Sequence, residues 1–109
     1  MGLWVQKEGY DTCLQATGEV MQSPNTEVYL IRFREGKFSH YHKSTTEFFH
    51  FTAGSGRILM DDREVELYPG VSLVIPPYVK HMFINNSNDI LLEAVMVKTN
   101  THPEDTFIV

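Results

Sequence analysis

The chain has 109 residues, 42% of them hydrophobic, and carries 9 basic against 14 acidic side chains for a net charge of −5. That is one domain's length, enough to bury about two-thirds of the unfolded surface, and 21% charged residues is too few for a disordered polymer. The acidic balance excludes nucleic acid as a partner, because phosphate backbones are held by clustered Lys and Arg. No apolar stretch reaches the roughly 18–20 residues that span a bilayer, so no membrane partner is expected. The opening Met1-Gly2-Leu3-Trp4 lacks the charged and apolar regions of a signal peptide. Gln6 stands where a myristoylation signal wants Ser or Thr. The expected location is cytoplasmic. The single cysteine, Cys13, cannot form an internal disulfide or a Cys-rich zinc site and reads as a small buried hydrophobe.

Val, Ile, Thr, Phe, Tyr and Trp together number 38, against 3 Ala. β-branched and aromatic residues favour strands and Ala favours helices, so the composition predicts an all-β domain. In chain order, residues 1–17 read as an N-terminal extension. Strands follow at Val28–Phe33, Phe48–Thr52, Arg57–Met60, Glu64–Leu67, Val71–Ile75, His81–Ile84 and Ile90–Val97. Turn residues separate them: Ser23-Pro24-Asn25, Glu35-Gly36, Ala53-Gly54-Ser55-Gly56, Asp61-Asp62, Pro69-Gly70, Pro76-Pro77 and the run Asn85–Asp89. Short strands with frequent turns are the pattern of a sandwich or small barrel, not of βαβ units. Pro69-Gly70 suits the central positions of a type II turn, where Gly takes the positive φ. Residues 28–97 form the expected barrel core and 100–109 a tail.

Chemistry concentrates in the histidines. His40 and His42 are two apart in a β-prone segment, which puts both side chains on one face with Cα atoms about 6.5 Å apart. Such a pair alone is weak grounds for a metal. Glu47 heads the apolar run Phe48-Phe49-His50-Phe51, and His81 follows two prolines on a strand able to lie beside the first. His50 points opposite to Phe49 and Phe51 by parity, and His102 sits in the polar tail, so both read as outward residues.

Taken together, His40-x-His42-x4-Glu47-x6-Gly54 resembles the first motif of the cupin family, and Gly70-x5-Pro76-x-Tyr78-x2-His81-x3-Asn85 resembles its second. The resemblance implies one domain over residues 1–109 with a double-stranded β-helix, or jelly-roll β-barrel. Two departures stand out. Only three residues separate Gly36 from His40 where the family usually has five, and Tyr78 replaces a usual Gly.

The resemblance further implies that His40, His42, Glu47 and His81 hold one divalent transition metal. Three imidazoles and a carboxylate suit Fe, Mn, Ni or Zn better than Ca or Mg. If Glu47 points inward so do Phe49 and Phe51, and with Phe33, Ile58, Met60, Ile75 and Phe83 they predict an apolar, aromatic pocket. Lys80 and Arg32 are the nearest cations in this reading, which weighs against a phosphosugar substrate. The expected function is therefore a metal-dependent enzyme of the non-haem oxygenase (dioxygenase-like) type acting on a small, largely apolar molecule. The alternatives are a non-redox isomerase, cyclase or lyase, with Tyr29, Tyr41 or Tyr78 as proton donor, and a non-catalytic ligand-binding or sensor protein. The family's small members commonly pair, often by exchanging N-terminal strands. With Leu3, Trp4 and Val5 apolar on a free arm, a homodimer is expected.

Overall fold

A computed structural model describes residues 2–109 of the chain. Among these residues the elements are β1 (Trp4–Gln6), β2 (Tyr10–Thr17), α1 (Gly18–Met21), β3 (Glu27–Phe33), β4 (Gly36–Tyr41), β5 (Thr46–Ala53), β6 (Gly56–Met60), β7 (Arg63–Leu67), β8 (Ser72–Ile75), β9 (His81–Asn85), β10 (Leu92–Thr99) and β11 (Phe107–Ile108). They form two antiparallel sheets, ordered β1-β2-β3-β10-β5-β8 and β11-β4-β9-β6-β7. The fold is all-β, as the composition predicts. No helix among the described residues is long and apolar enough to cross a membrane.

Period-2 alternation explains which face is buried. Ile31 and Phe33 of β3, Phe49 and Phe51 of β5, Ile58 and Met60 of β6 and Ala94 and Met96 of β10 all turn inward. Phe83 of β9 binds the two sheets together, its ring 4.7 Å from Phe33 and 4.9 Å from Phe49. Burying each of the Ile, Phe and Met side chains among these stabilises the fold by about 1.5–3 kcal/mol. The Pro69-Gly70 turn forms as expected: Gly70 takes φ +98° and the Val71 amide donates to the Tyr68 carbonyl at 3.1 Å.

Three features differ from the linear reading. Tyr10–Thr17 is a full strand between β1 and β3, with Tyr10 and Cys13 buried. Its alternation is masked by a bulge between Leu14 and Ala16, and by Asp11, which is buried because Arg32 and Arg34 reach it at 2.9 and 3.2 Å. Gly36 does not lead a turn but opens β4, where its φ of +152° lets it pass against the Phe83 carbonyl. The tail returns to the barrel, pairing Phe107 with Tyr41 and Ile108 with His40.

Candidate metal centre

Both sheets contribute to one buried cluster. His40 lies near the end of β4, His42 just beyond it, Glu47 at the second position of β5 and His81 at the start of β9, opposite His40. All four are at most 4% exposed, and one potential ligand atom from each falls within 4.8 Å of the others.

The outer hydrogen bonds fix which ring atoms face inward. Nδ1 of His40 lies 2.7 Å from the Phe38 carbonyl, Nδ1 of His42 2.7 Å from the Asp105 carbonyl and Nδ1 of His81 2.9 Å from the Val79 carbonyl. A carbonyl oxygen only accepts, so each Nδ1 carries a proton and each Nε2 turns to the centre, where it can offer a lone pair to an ion. Nε2 of His40 has no hydrogen-bond partner. Nε2 of His81 is 3.2 Å from Glu47 Oε1 yet off any hydrogen-bonding angle, and Nε2 of His42 is 3.1 Å from the same oxygen. Three lone pairs and a carboxylate aimed at one point repel unless a cation lies between them. The donor set therefore fits a divalent first-row ion.

The electrostatics agree. Burial, reinforced by the positive charge of Lys37 and by His81, pushes His40 down to about 3, so its ring stays neutral across the physiological range. Burial alone would push the Glu47 carboxyl up. With no ion in place, an Nε2–H of His42 or His81 donating to its oxygen, together with the charges of Lys37 and Lys98, outweighs that and holds it well below the ordinary range, so it is ionised.

Comparison with known proteins agrees with this arrangement. The family described as "Cupin domain" matches residues 30–98, which hold all four cluster residues. The chain belongs to the cupin family. Among solved structures, it superposes on the nucleoside dehydratase Pac13 of Streptomyces bound to uridine with a TM-score of 0.80 at 15% identity, covering 99% of this chain and 84% of that one. It also resembles a cupin-like protein of Thermotoga maritima (TM-score 0.75, 23% identity, 92% and 75% covered). A third likeness is to a sugar phosphate isomerase of the cupin superfamily from Silicibacter pomeroyi (TM-score 0.69, 25% identity, 86% and 61% covered). No curated protein matches the chain by sequence.

Within the cupin barrel, the seven residues expected to line the pocket behave otherwise. Phe33, Phe49, Phe51, Ile58, Met60, Ile75 and Phe83 do point inward, but at 0–6% exposure they pack against one another as the core. The space beside the metal cluster is a separate cavity of about 240 Å³ on the other side of Met96. Its walls include Lys7, Tyr10, Thr12, Tyr29, Lys37 and Lys98. Lys98 is the cross-strand partner of Glu47, and Phe38 on the same wall has its ring 5.3 Å from that of His40, so cavity and cluster adjoin.

Of the tyrosines, Tyr29 lines this cavity; its hydroxyl donates to Glu27 at 3.2 Å. Burial, with Glu27 beside it, pushes the phenol up to about 12. Tyr78 is 65% exposed and stacks at 6.2 Å on Tyr41, which stacks in turn at 5.4 Å on Phe107. That pair forms a surface array under the tail. Lys80 is exposed, and Arg32 lies on the outer face against Asp11 and Trp4. His50 bonds Ser72 on the outer face at 2.7 Å, and His102 is exposed.

The two cations that do approach the cluster are ones the linear reading passed over. Lys37 has the wrong parity to share a face with His40, but a register shift between Lys37 and His40 reverses it. Lys98 follows the inward parity of Leu92, Ala94 and Met96, one residue past where the predicted strand stops.

Proposed function

We propose that this cupin is a divalent-metal-dependent enzyme performing non-redox proton-transfer chemistry, of the isomerase, cyclase or lyase kind, on a small oxygen-bearing molecule. The carrying observation is the polar cavity that adjoins the His40–His42–Glu47–His81 cluster, with a phenol in its wall. A metal at the cluster would supply a Lewis acid that polarises a substrate oxygen. Tyr29 supplies the protein's own part. A phenol held up at about 12 stays protonated at neutral pH, so its hydroxyl, on turning from Glu27 to the substrate, would donate to a developing negative charge instead of abstracting a proton. The oxygenase alternative drew on an apolar pocket, and the residues expected to form one fill the core instead. The nucleoside dehydratase and sugar phosphate isomerase among the structural likenesses are themselves named for non-redox reactions, which supports the same direction.

The test uses protein loaded with Zn or Mn and a panel of small hydroxy and keto compounds in D2O under argon, followed by NMR. Solvent deuterium entering a substrate C–H bond, lost on chelation and reduced about 100-fold in Tyr29→Phe with metal content unchanged, supports the proposal. Conversion that needs Fe(II) and consumes oxygen would replace it with the oxygenase reading. A homodimer is part of the same proposal: Trp4, Leu30, Phe48 and Val74 lie exposed on the outer face of the six-stranded sheet, where a second copy would cover them. Sedimentation would show a species of twice the chain mass, and a monomer at high concentration would refute it.

A further inference from the structure

Three of the chain's 9 basic residues, Lys7, Lys37 and Lys98, line one small cavity in a protein of net charge −5. The interior pair is unusual. Among the described residues neither Lys37 nor Lys98 takes part in an ion pair; every such pair involves Arg or His. Instead the Lys37 ammonium lies 4.7 Å above the Tyr10 ring, and the Lys98 ammonium 5.6 Å above the Tyr29 ring. Lys37 is half-buried, and that burial pushes its ammonium below the ordinary lysine range although the Glu47 charge pulls the other way. A half-buried ammonium outside any ion pair costs stability unless something pairs with it.

The cluster carboxylate does not fill that role. Once Glu47 shares a divalent ion with three neutral imidazoles, the centre carries about +1, and the lysines beside it meet net positive charge. Tyr10 and Thr12 add hydroxyl donors to the same walls, while Glu27, the other cross-strand neighbour of Lys98, is engaged by the Tyr29 hydroxyl. Lysine offers a compact point charge, which suits a carboxylate or phosphate oxygen approached from several angles.

We propose that the cavity binds a small anionic substrate, its carboxylate or phosphate held between Lys37 and Lys98 while a carbonyl or hydroxyl oxygen at its other end reaches the metal cluster. This rests on the metal-enzyme reading and adds the substrate's charge to it. At about 240 Å³ the cavity falls below the usual range for drug-sized ligands and fits a compact organic acid or short-chain phosphate.

Isothermal titration of Mn-loaded protein with pyruvate, glycolaldehyde phosphate and neutral pyruvamide tests it. One or both anions are expected to bind at least about tenfold tighter than pyruvamide. Lys37→Met and Lys98→Met should each weaken anion binding about tenfold or more, with manganese content unchanged. The preferred anion tells a carboxylate site from a phosphate site. Thermal melts of the ligand-free proteins accompany the titrations. In Mn-loaded, anion-free protein Lys37→Met is expected to melt at or above the wild-type temperature, because it removes a half-buried charge outside any ion pair and keeps the volume. Equal affinity for pyruvamide and both anions, or anion binding indifferent to both substitutions, would overturn the proposal. A parallel titration of metal-free protein keeps the two readings apart. Lysine-dependent anion binding without any manganese uptake keeps the anion site and refutes the metal centre; manganese uptake with lysine-independent binding does the reverse.

Discussion

Asp105 offers the sharpest test of how the tail serves the site. Its carboxylate accepts the backbone N–H groups of Lys43, Ser44 and Thr45 at 2.8, 3.0 and 2.9 Å, and the Thr45 hydroxyl at 2.9 Å. Its carbonyl accepts Nδ1–H of His42 at 2.7 Å. One residue thus pins the loop joining two cluster residues, His42 and Glu47, and sets the tautomer of the first. Asp105→Ala removes the four side-chain bonds and leaves the carbonyl in place. Losing one capping carboxylate costs about 0.5–2 kcal/mol, and with three amides orphaned the upper end, about 2 kcal/mol, is expected; solvent screening at this partly exposed site keeps it from being larger. For a chain of this length that lowers Tm by about 8 °C. Asp105→Asn, which keeps an acceptor oxygen but not the charge, should fall between.

The pH dependence supplies a second check on the same residue. Burial would push the Asp105 carboxyl up, but the amides of Lys43, Thr45 and Ser44 bring it from 3.8 down to about 2. A depressed folded value means the stabilisation is complete above 3.8 and fades as pH falls towards 2. The gap between wild type and Asp105→Ala in urea denaturation should therefore be constant from pH 5 to 7 and close below pH 4. With the loop loosened, metal affinity should drop about tenfold or more. Identical denaturation midpoints at pH 7, or a gap that persists unchanged at pH 2, would refute the reasoning.

Further outcomes follow from single positions. Gly36→Ala should cost more than about 3 kcal/mol in chemical denaturation, because a Cβ there meets the Phe83 carbonyl and the backbone sits at φ +152°. Tyr78 holds φ +70° while 65% exposed, so Tyr78→Gly should stabilise by about 1 kcal/mol and leave metal content unchanged; a destabilised variant would contradict that account. His40 has a folded value of about 3 against an ordinary 6.5, so the unfolded chain binds its proton first. Stability of the metal-free protein should thus fall as pH drops below 6.5, and the fall relative to His40→Gln should continue towards pH 3; a constant difference would count against it.

The four-residue cluster was legible in part from local signals. Parity places His40 and His42 together and turn residues delimit each strand, while the resemblance of the two motifs to the cupin family's ties Glu47 and His81 to them. Lys37 was hidden because a bulge reverses parity, and a bulge leaves no mark in hydrophobic periodicity. Asp105 was hidden because it acts on amides 60 residues away, beyond any local pattern. The inward direction of Phe49, Phe51 and Phe83 was readable, but alternation cannot tell a side chain that lines a cavity from one that fills the core. The expectation of an apolar pocket rested on that one ambiguity. Tyr78 shows the converse: its departure from the family's Gly marks a left-handed backbone position, so it reports on the turn and not on the chemistry.

The central claim is that His40, His42, Glu47 and His81 form a metal centre. Elemental analysis of protein purified without a polyhistidine tag measures it directly. The account predicts one divalent transition ion per chain, lost in His81→Ala while that variant retains its β-rich circular dichroism. Protein that stays metal-free after incubation with Fe(II), Mn(II), Ni(II) and Zn(II), or a His81→Ala variant that keeps its full metal content, would contradict it.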